Sequence, residues 1–182
     1  MTSETPKGAG DPAPSPLLAF VDALLESEAD LQEPGVVVQR SFLEIGVAEG
    51  TYFLPLLACR EIARVPEIAR VPEGPVGVRG IASVRGKVLP VLDARVCLGL
   101  PPVATSAKAR LVVFETEKRV VALLVDRIAG IAKVDEPAIV SPGDPDPAYV
   151  AGHLAQAGKT GIILSPAGLL STGNAPGTGL EG

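Results

Sequence analysis

Residues 71–95 read VPEGPVGVRGIASVRGKVLPVLDAR, and the fold turns on how this stretch is read. Its first part, GPVGVRG (74–80), has a glycine at every third position. It does not match G-x-x-x-x-G-K-[ST], and it runs into a strand instead of opening a helix, so it is not a phosphate loop. Gly80 and Gly86 flank a segment suited to close backbone approach or positive φ. KVLPVLD (87–93) reads as a strand, and Pro90, having no N–H to give a ladder, implies an edge position or a bulge. Val91 and Leu92 are core candidates, and a short helical turn is expected near Asp93–Leu98. The stretch is β-structure with close turns.

The same texture extends outward in both directions. VVVQRSFLEIGV (36–47) and TYFLPLLAC (51–59) are strand-like and separated by a hairpin signal at Ala48–Gly50. RLVVFETEKRVVALLVD (110–126) reads as two strands joined by a charged turn, and IAKV and YVAGHLAQAGKTGIIL supply the last short strands. Hydrophobic residues make up 47% of the 182, but aromatics only 3%, so the core must be aliphatic. Twenty glycines and eighteen prolines fit many turns and short elements. Short strands with regular turn signals indicate a small barrel or sandwich, or two stacked barrels.

Charge separates the chain into parts. Residues 1–35 carry seven acids (Glu4, Asp11, Asp22, Glu26, Glu28, Asp30, Glu33) against Lys7, leaving fourteen acids and fifteen bases in the remainder. The expected organisation is an acidic extension over 1–35, a body over 36–170 and a flexible tail over 171–182. Within the extension, Ser15 can cap and Pro16 suits a first helical position. Leu17, Phe20, Val21, Leu24 and Leu25 then follow helical spacing, predicting an amphipathic helix over about 15–31. It either packs on its own domain or docks on a further partner. The N-terminus lacks a charged n-region followed by an apolar run, and no stretch reaches the ~18 apolar residues of a membrane helix. A cytoplasmic protein without membrane insertion is expected.

Catalytic patterns are missing from the sequence. His153 is the single histidine, which disfavours His-based metal sites and triads; it reads as a partly exposed structural residue. Cys59 and Cys97 sit among apolar neighbours and read as reduced, partly buried thiols. A nucleic-acid module of SH3-like or OB-like type using Arg79, Arg85 and Lys87 is a reading of another class. The nearly neutral body and the scarcity of aromatic stacking platforms count against nucleic acid.

Four landmarks taken in order carry a resemblance: GTYFLPLLACREI, VPEGPVGVRGIASVRGKVLPVLDAR, VVALLVDRIAGI and YVAGHL. Over residues about 41–170 the chain resembles the CheW-like family, the adaptor modules of bacterial chemosensory arrays. That family's pattern has Y-x-hydrophobic-P, V-x-E-I, then N-L-R-G-x-hydrophobic-P-V-hydrophobic-D-L-R. Here Ser83-Val84 replaces Asn-Leu before Arg85 and Gly86. Cys59 takes a hydrophobic position, and Ser165-Pro166 stands where an aspartate is usual.

The resemblance implies a mainly β fold of two SH3-like five-stranded β-barrels side by side, with no cofactor, metal or active site. It implies two partners: the regulatory domain of a CheA-type histidine kinase, and the cytoplasmic tip of a methyl-accepting chemoreceptor, with recruitment to receptor clusters. A specialised adaptor that binds a receptor or another regulator but not the kinase is the alternative within the family. The partner-binding candidates are Cys59, Glu61, Ile62, Gly80, Val84, Arg85, Gly86 and Asp126. Arg85 presents a planar donor fork; pairing inside the domain with Asp93 or Asp126 is an equally open reading. Asp126 also reads as a strand-end hydrogen-bond acceptor. The hexapeptide EIARVP occurs twice in succession, at 61–66 and 67–72. Each copy answers a different landmark, so the repeat reads as a coincidence of spelling, with only Glu61 a contact candidate.

Overall fold

The computed structural model describes residues 37–172 apart from Lys118 and Ala157. The helix expected over about 15–31 and the tail residues 173–182 lie outside the described part. The unit beginning at Val38 is built from two sheets. Strands β1 (Gln39–Val47) and β2 (Gly50–Pro55) open the first sheet. The chain then leaves it for β3 (Cys59–Arg64), β4 (Val78–Val84), β5 (Lys87–Asp93), β6 (Arg110–Glu115) and β7 (Val120–Val125), with a one-turn helix α1 (Ala94–Cys97) after β5. It returns through β8 (Arg127–Asp135), β9 (Ile139–Val140), β10 (Val150–Gln156) and β11 (Lys159–Leu164), ending in α2 (Pro166–Thr172). The spatial orders are β8-β1-β2-β11-β10-β9 and β3-β6-β7-β5-β4. Two five-stranded units were expected; the second sheet has five strands, and the two-residue β9 makes the first six. Helix α2 runs two residues past the expected boundary at 170.

Burial explains why some strands alternate and others do not. Val112 and Phe114 of β6 and Val121, Leu123 and Val125 of β7 pack against Leu43, Ile45, Val47, Leu54 and Leu164 of the first sheet. The opposite faces of β6 and β7, carrying Leu111, Val113, Ala122 and Leu124, fill the interior of the second sheet. Both faces are therefore dry, and the sequence there is a continuous aliphatic run. Each Val, Leu, Ile or Phe side chain so removed from water contributes about 1.5–3 kcal/mol. Strand β4 buries one face only and alternates between buried and exposed residues from Gly80 onward. A separate cluster of Phe42, Phe53, Ala132, Val134, Leu154 and Ile163 fills the first sheet, with Phe42 and Phe53 edge to face.

The second sheet closes on itself. Its two edges are β3 and β4, and the chain running on from β3 crosses the gap at Ala69. There the Ala69 N–H donates to Ile81 O at 2.9 Å, and the Ile81 N–H donates to Ala69 O at 2.8 Å. Gly80 permits this approach, since a Cβ at that position would lie 2.2 Å from Ala69 O. In the first sheet, the edges β8 and β9 follow one another through the single turn Glu136–Ala138. Gln156 of β10 bonds Asp135 at the end of β8, accepting from its N–H at 3.1 Å and donating to its carboxylate at 3.0 Å.

Pro90 is accommodated by its place in β5. That strand lies between β4 and β7, yet its parallel pairing with β7 spans only Val91–Asp93. The Lys87–Pro90 half pairs with β4 alone, so Pro90 withholds no ladder hydrogen bond from β7.

Candidate interaction site

The β4–β5 connection is a two-residue turn, Arg85-Gly86, between the paired residues Val84 and Lys87. Both turn residues have positive φ, 49° and 79°. This is the type I′ pattern whose twist suits a tight hairpin, and it favours Asn-Gly or Gly-Gly. Arginine at the first position is held in a left-handed conformation that costs about 1 kcal/mol. The turn throws its side chain outward, 80% exposed, where Nε meets the Glu61 carboxylate of β3 at 2.6 Å. Neither Asp93 nor Asp126 is its partner. Asp93 caps α1 by accepting from the Arg95 N–H at 3.0 Å, and also receives Arg79 at 2.6 Å.

An apolar surface adjoins this ion pair. Ile62 is exposed on β3, while Ile81 and Val88 are exposed on the hairpin. Ile81 faces Pro90 and Ser83 faces Val88 across the strands, so these four share the outer face by strand alternation. Val88, at 67% exposure, is more open than Ile62 or Ile81. The 3-10 turn between β2 and β3 presents Leu57, which is fully exposed.

Three sequence candidates act through the scaffold. Gly80 is buried beneath Ala69. Val84 is 6% exposed and belongs to the interior of the second sheet, so the Val in place of Leu in the N-L-R-G segment is a packing residue. Asp126 joins the two sheets from the β7–β8 junction. It accepts from Arg95 Nε at 3.0 Å and from the Ala48 N–H, at the β1–β2 turn, at 2.6 Å. Burial acts to raise its pKa. Hydrogen bonds from Arg95 and Ala48 and the charges of Arg95 and Arg127 outweigh that, holding the carboxyl below its ordinary value. Cys59 is half-buried, with Sγ 3.5 Å from Pro55 O; burial pushes its thiol up to about 11. Cys97 is buried with the same result, and both thiols are free. Neither has the lowered pKa of a reactive thiolate.

Cys59, Glu61 and Ile62 thus lie on edge strand β3, with Glu61 and Ile62 on opposite faces by strand alternation. Arg85 and Gly86 form the turn that meets Glu61, while Asp126 belongs to the junction between the sheets. Sequence reasoning missed Ile81 and Val88. In IASVRGKVL both faces of the hairpin carry aliphatic residues, so alternation alone does not say which face is wet. His153 on β10 is 2.9 Å from the Asp146 carboxylate and has a structural setting. No group of three or more His, Cys, Asp or Glu that could hold a metal occurs among the described residues. No helix among them is long and apolar enough to cross a membrane.

A β-rich scaffold presenting a charged turn and an apolar strand face is a protein-binding module in class. Residues 41–173 match the CheW-like domain, and the chain belongs to that family, one of non-enzymatic adaptors and scaffolds. It is 27% identical over 97 residues to the probable chemotaxis protein CheW of Rhizobium etli, and 29% identical over 97 residues to the chemotaxis protein CheW of Rhizobium meliloti. Each match covers 53% of this chain and 63% of the relative, so the chain spans less than two thirds of the curated relatives' length. The crystal structure of the scaffolding protein TtCheW from Thermoanaerobacter tengcongensis superposes with a TM-score of 0.66 at 27% identity. That superposition covers 70% of this chain and 90% of the other.

Proposed function

We propose that this chain is a chemosensory adaptor that couples methyl-accepting receptors to a CheA-type histidine kinase, working in the cytoplasm at receptor clusters. It controls the kinase by holding partners in position and performs no chemistry of its own. The observation that carries the reading is the Glu61–Arg85 pair on an exposed hairpin turn beside Ile62, Ile81 and Val88. An exposed arginine kept in a strained backbone conformation is a sign of function, because the strain brings the fold no packing in return. The apolar residues supply the desolvated centre of an interface and the ion pair its polar rim. Engaging two partners at once raises their effective concentration for one another.

The test is affinity capture of a receptor tip and of a kinase regulatory domain, measured separately with the Arg85→Glu variant. Loss of one or both partners with an almost unchanged thermal melt is expected; wild-type capture of both would remove Arg85 from the interface. The alternative, an adaptor for a receptor or other regulator alone, draws on Ser83, an exposed hydroxyl where the family usually has an amide. It predicts that the unaltered protein captures the receptor tip and leaves the kinase domain behind.

A further inference from the structure

The repeated hexapeptide has a spatial consequence beyond the coupling role. The first copy forms most of β3 and pairs with β6; the second crosses to β4 through Ala69. The two copies thus lie against different strands near the sheet's opening, and their arginines, Arg64 and Arg70, line one cleft of about 650 Å³. Arg79 and Arg110 line it too, with the hydroxyls of Thr105 and Ser106. Arg64 and Arg110 are directly opposite in the β3–β6 register, an arrangement of like charges that lowers the stability of a strand pair. Arg79 is neutralised by Asp93, whereas Arg110 donates to the carbonyls of Ala107 and Ala109. Among the described residues, Arg64, Arg70 and Arg110 form no ion pair with an acid.

We infer that this cleft binds a small ligand carrying two or more linked phosphate groups. Guanidinium forks match phosphate oxygens bidentately, and the hydroxyls add further donors. The volume falls in the range of small-ligand sites. Among the described residues none lining the cleft is aromatic or acidic. The site therefore has no platform on which to stack a base and no carboxylate to accept from sugar hydroxyls, and the phosphate portion is what it recognises. None of Glu61, Ile62, Ile81, Arg85 and Val88 lines the cleft, so it is separate from the proposed partner face.

The experiment is calorimetric titration of the full chain with inorganic tripolyphosphate at constant ionic strength, alongside thermal melts. Saturable binding with a raised melting temperature is expected. Arg64→Gln and Arg70→Gln should each weaken it by about tenfold, the loss expected for a charge-assisted contact. Arg64→Gln should also melt higher than the parent protein without ligand, because the opposed charges are gone. Arg85→Glu should bind tripolyphosphate normally, which separates this site from the coupling surface. Unsaturable binding, affinity unchanged from the parent in both glutamine variants, or the same shift with sulfate at matched ionic strength would overturn the inference. Binding of a poly-glutamate peptide without any response to tripolyphosphate would also overturn it, in favour of an acidic protein segment.

Discussion

Glu61 stands on edge strand β3 and Arg85 in the turn that follows the opposite edge strand, β4, and nevertheless they meet at 2.6 Å. The pair exists because the sheet curls until its edges approach, with the Ala69–Ile81 bridge closing the same gap. Glu61 is 23% and Arg85 80% exposed, so solvent screens the pair and its effect on stability is about 0–1 kcal/mol. Its value lies in fixing the direction of the guanidinium.

Replacing Arg85 by asparagine separates stability from binding. Asparagine suits the first place of a type I′ turn, relieving about 1 kcal/mol of left-handed strain, and the lost ion pair subtracts a comparable amount at most. Arg85→Asn is expected to unfold within about 1 kcal/mol of the parent protein in urea while losing partner capture. A large loss of stability would show that the arginine serves the fold.

Gly80→Ala should fail for a reason distinct from turn geometry. Its Cβ would sit 2.2 Å from a backbone oxygen on the closing segment, and backbone at a sheet junction yields poorly. A destabilisation of about 1–3 kcal/mol is expected. Gly86→Ala meets no atom within 4 Å and should cost about 1 kcal/mol for its positive φ alone. Denaturant midpoints of the two variants give the comparison, and equal losses would remove the closure argument.

Much of the architecture was legible because its signals are local. The strand runs, the Asp93 turn and the special backbone at Gly80 and Gly86 each follow from residue type and spacing, and the ordered landmarks brought the family with them. What escaped was set by closure of the sheet. Nothing near Arg85 in sequence points to Glu61 rather than Asp93 or Asp126. The burial of Val84 and the exposure of Val88 depend on which face of the hairpin turns inward. The EIARVP copies did prove non-equivalent as strand segments, yet the reading of the repeat as mere spelling overlooked that Arg64 and Arg70 converge, which only the path around the barrel reveals.

Asp126 should govern the acid limb of stability. Its pKa in the folded protein lies below the unfolded carboxyl value, so the folded state binds the proton less well than the unfolded chain. The stabilisation is complete above the unfolded pKa of about 4 and is lost as pH falls through the lower folded value. Asp126→Asn keeps the shape but removes the charge that Arg95 and the Ala48 N–H contact. At neutral pH it should cost about 1.5–3 kcal/mol, the scale of hydrogen bonds to a charged group. The difference from the parent should shrink as pH is lowered below about 4, measured by urea unfolding across pH; a constant difference would assign the loss to shape.

The serine that stands in place of the family's usual aspartate should prove a working cap. Ser165 and Asp93 occupy matching places in the two sheets. The Asp93 N–H donates to Gly77 O and the Ser165 N–H to Tyr149 O, both at 2.8 Å, and each residue immediately precedes a helix. Ser165 Oγ accepts from the Gly168 N–H at 3.1 Å, as the Asp93 carboxylate accepts from the Arg95 N–H. Ser165→Ala leaves that N–H without its partner and should cost about 1 kcal/mol. Ser165→Asp retains an acceptor and adds a negative charge at the helix start, so it should equal or exceed the parent in stability by a few tenths of a kcal/mol. Thermal melts of the three proteins decide the matter: if the alanine variant matches serine, α2 is held by the packing of Leu169 alone, and the substitution carries no capping role.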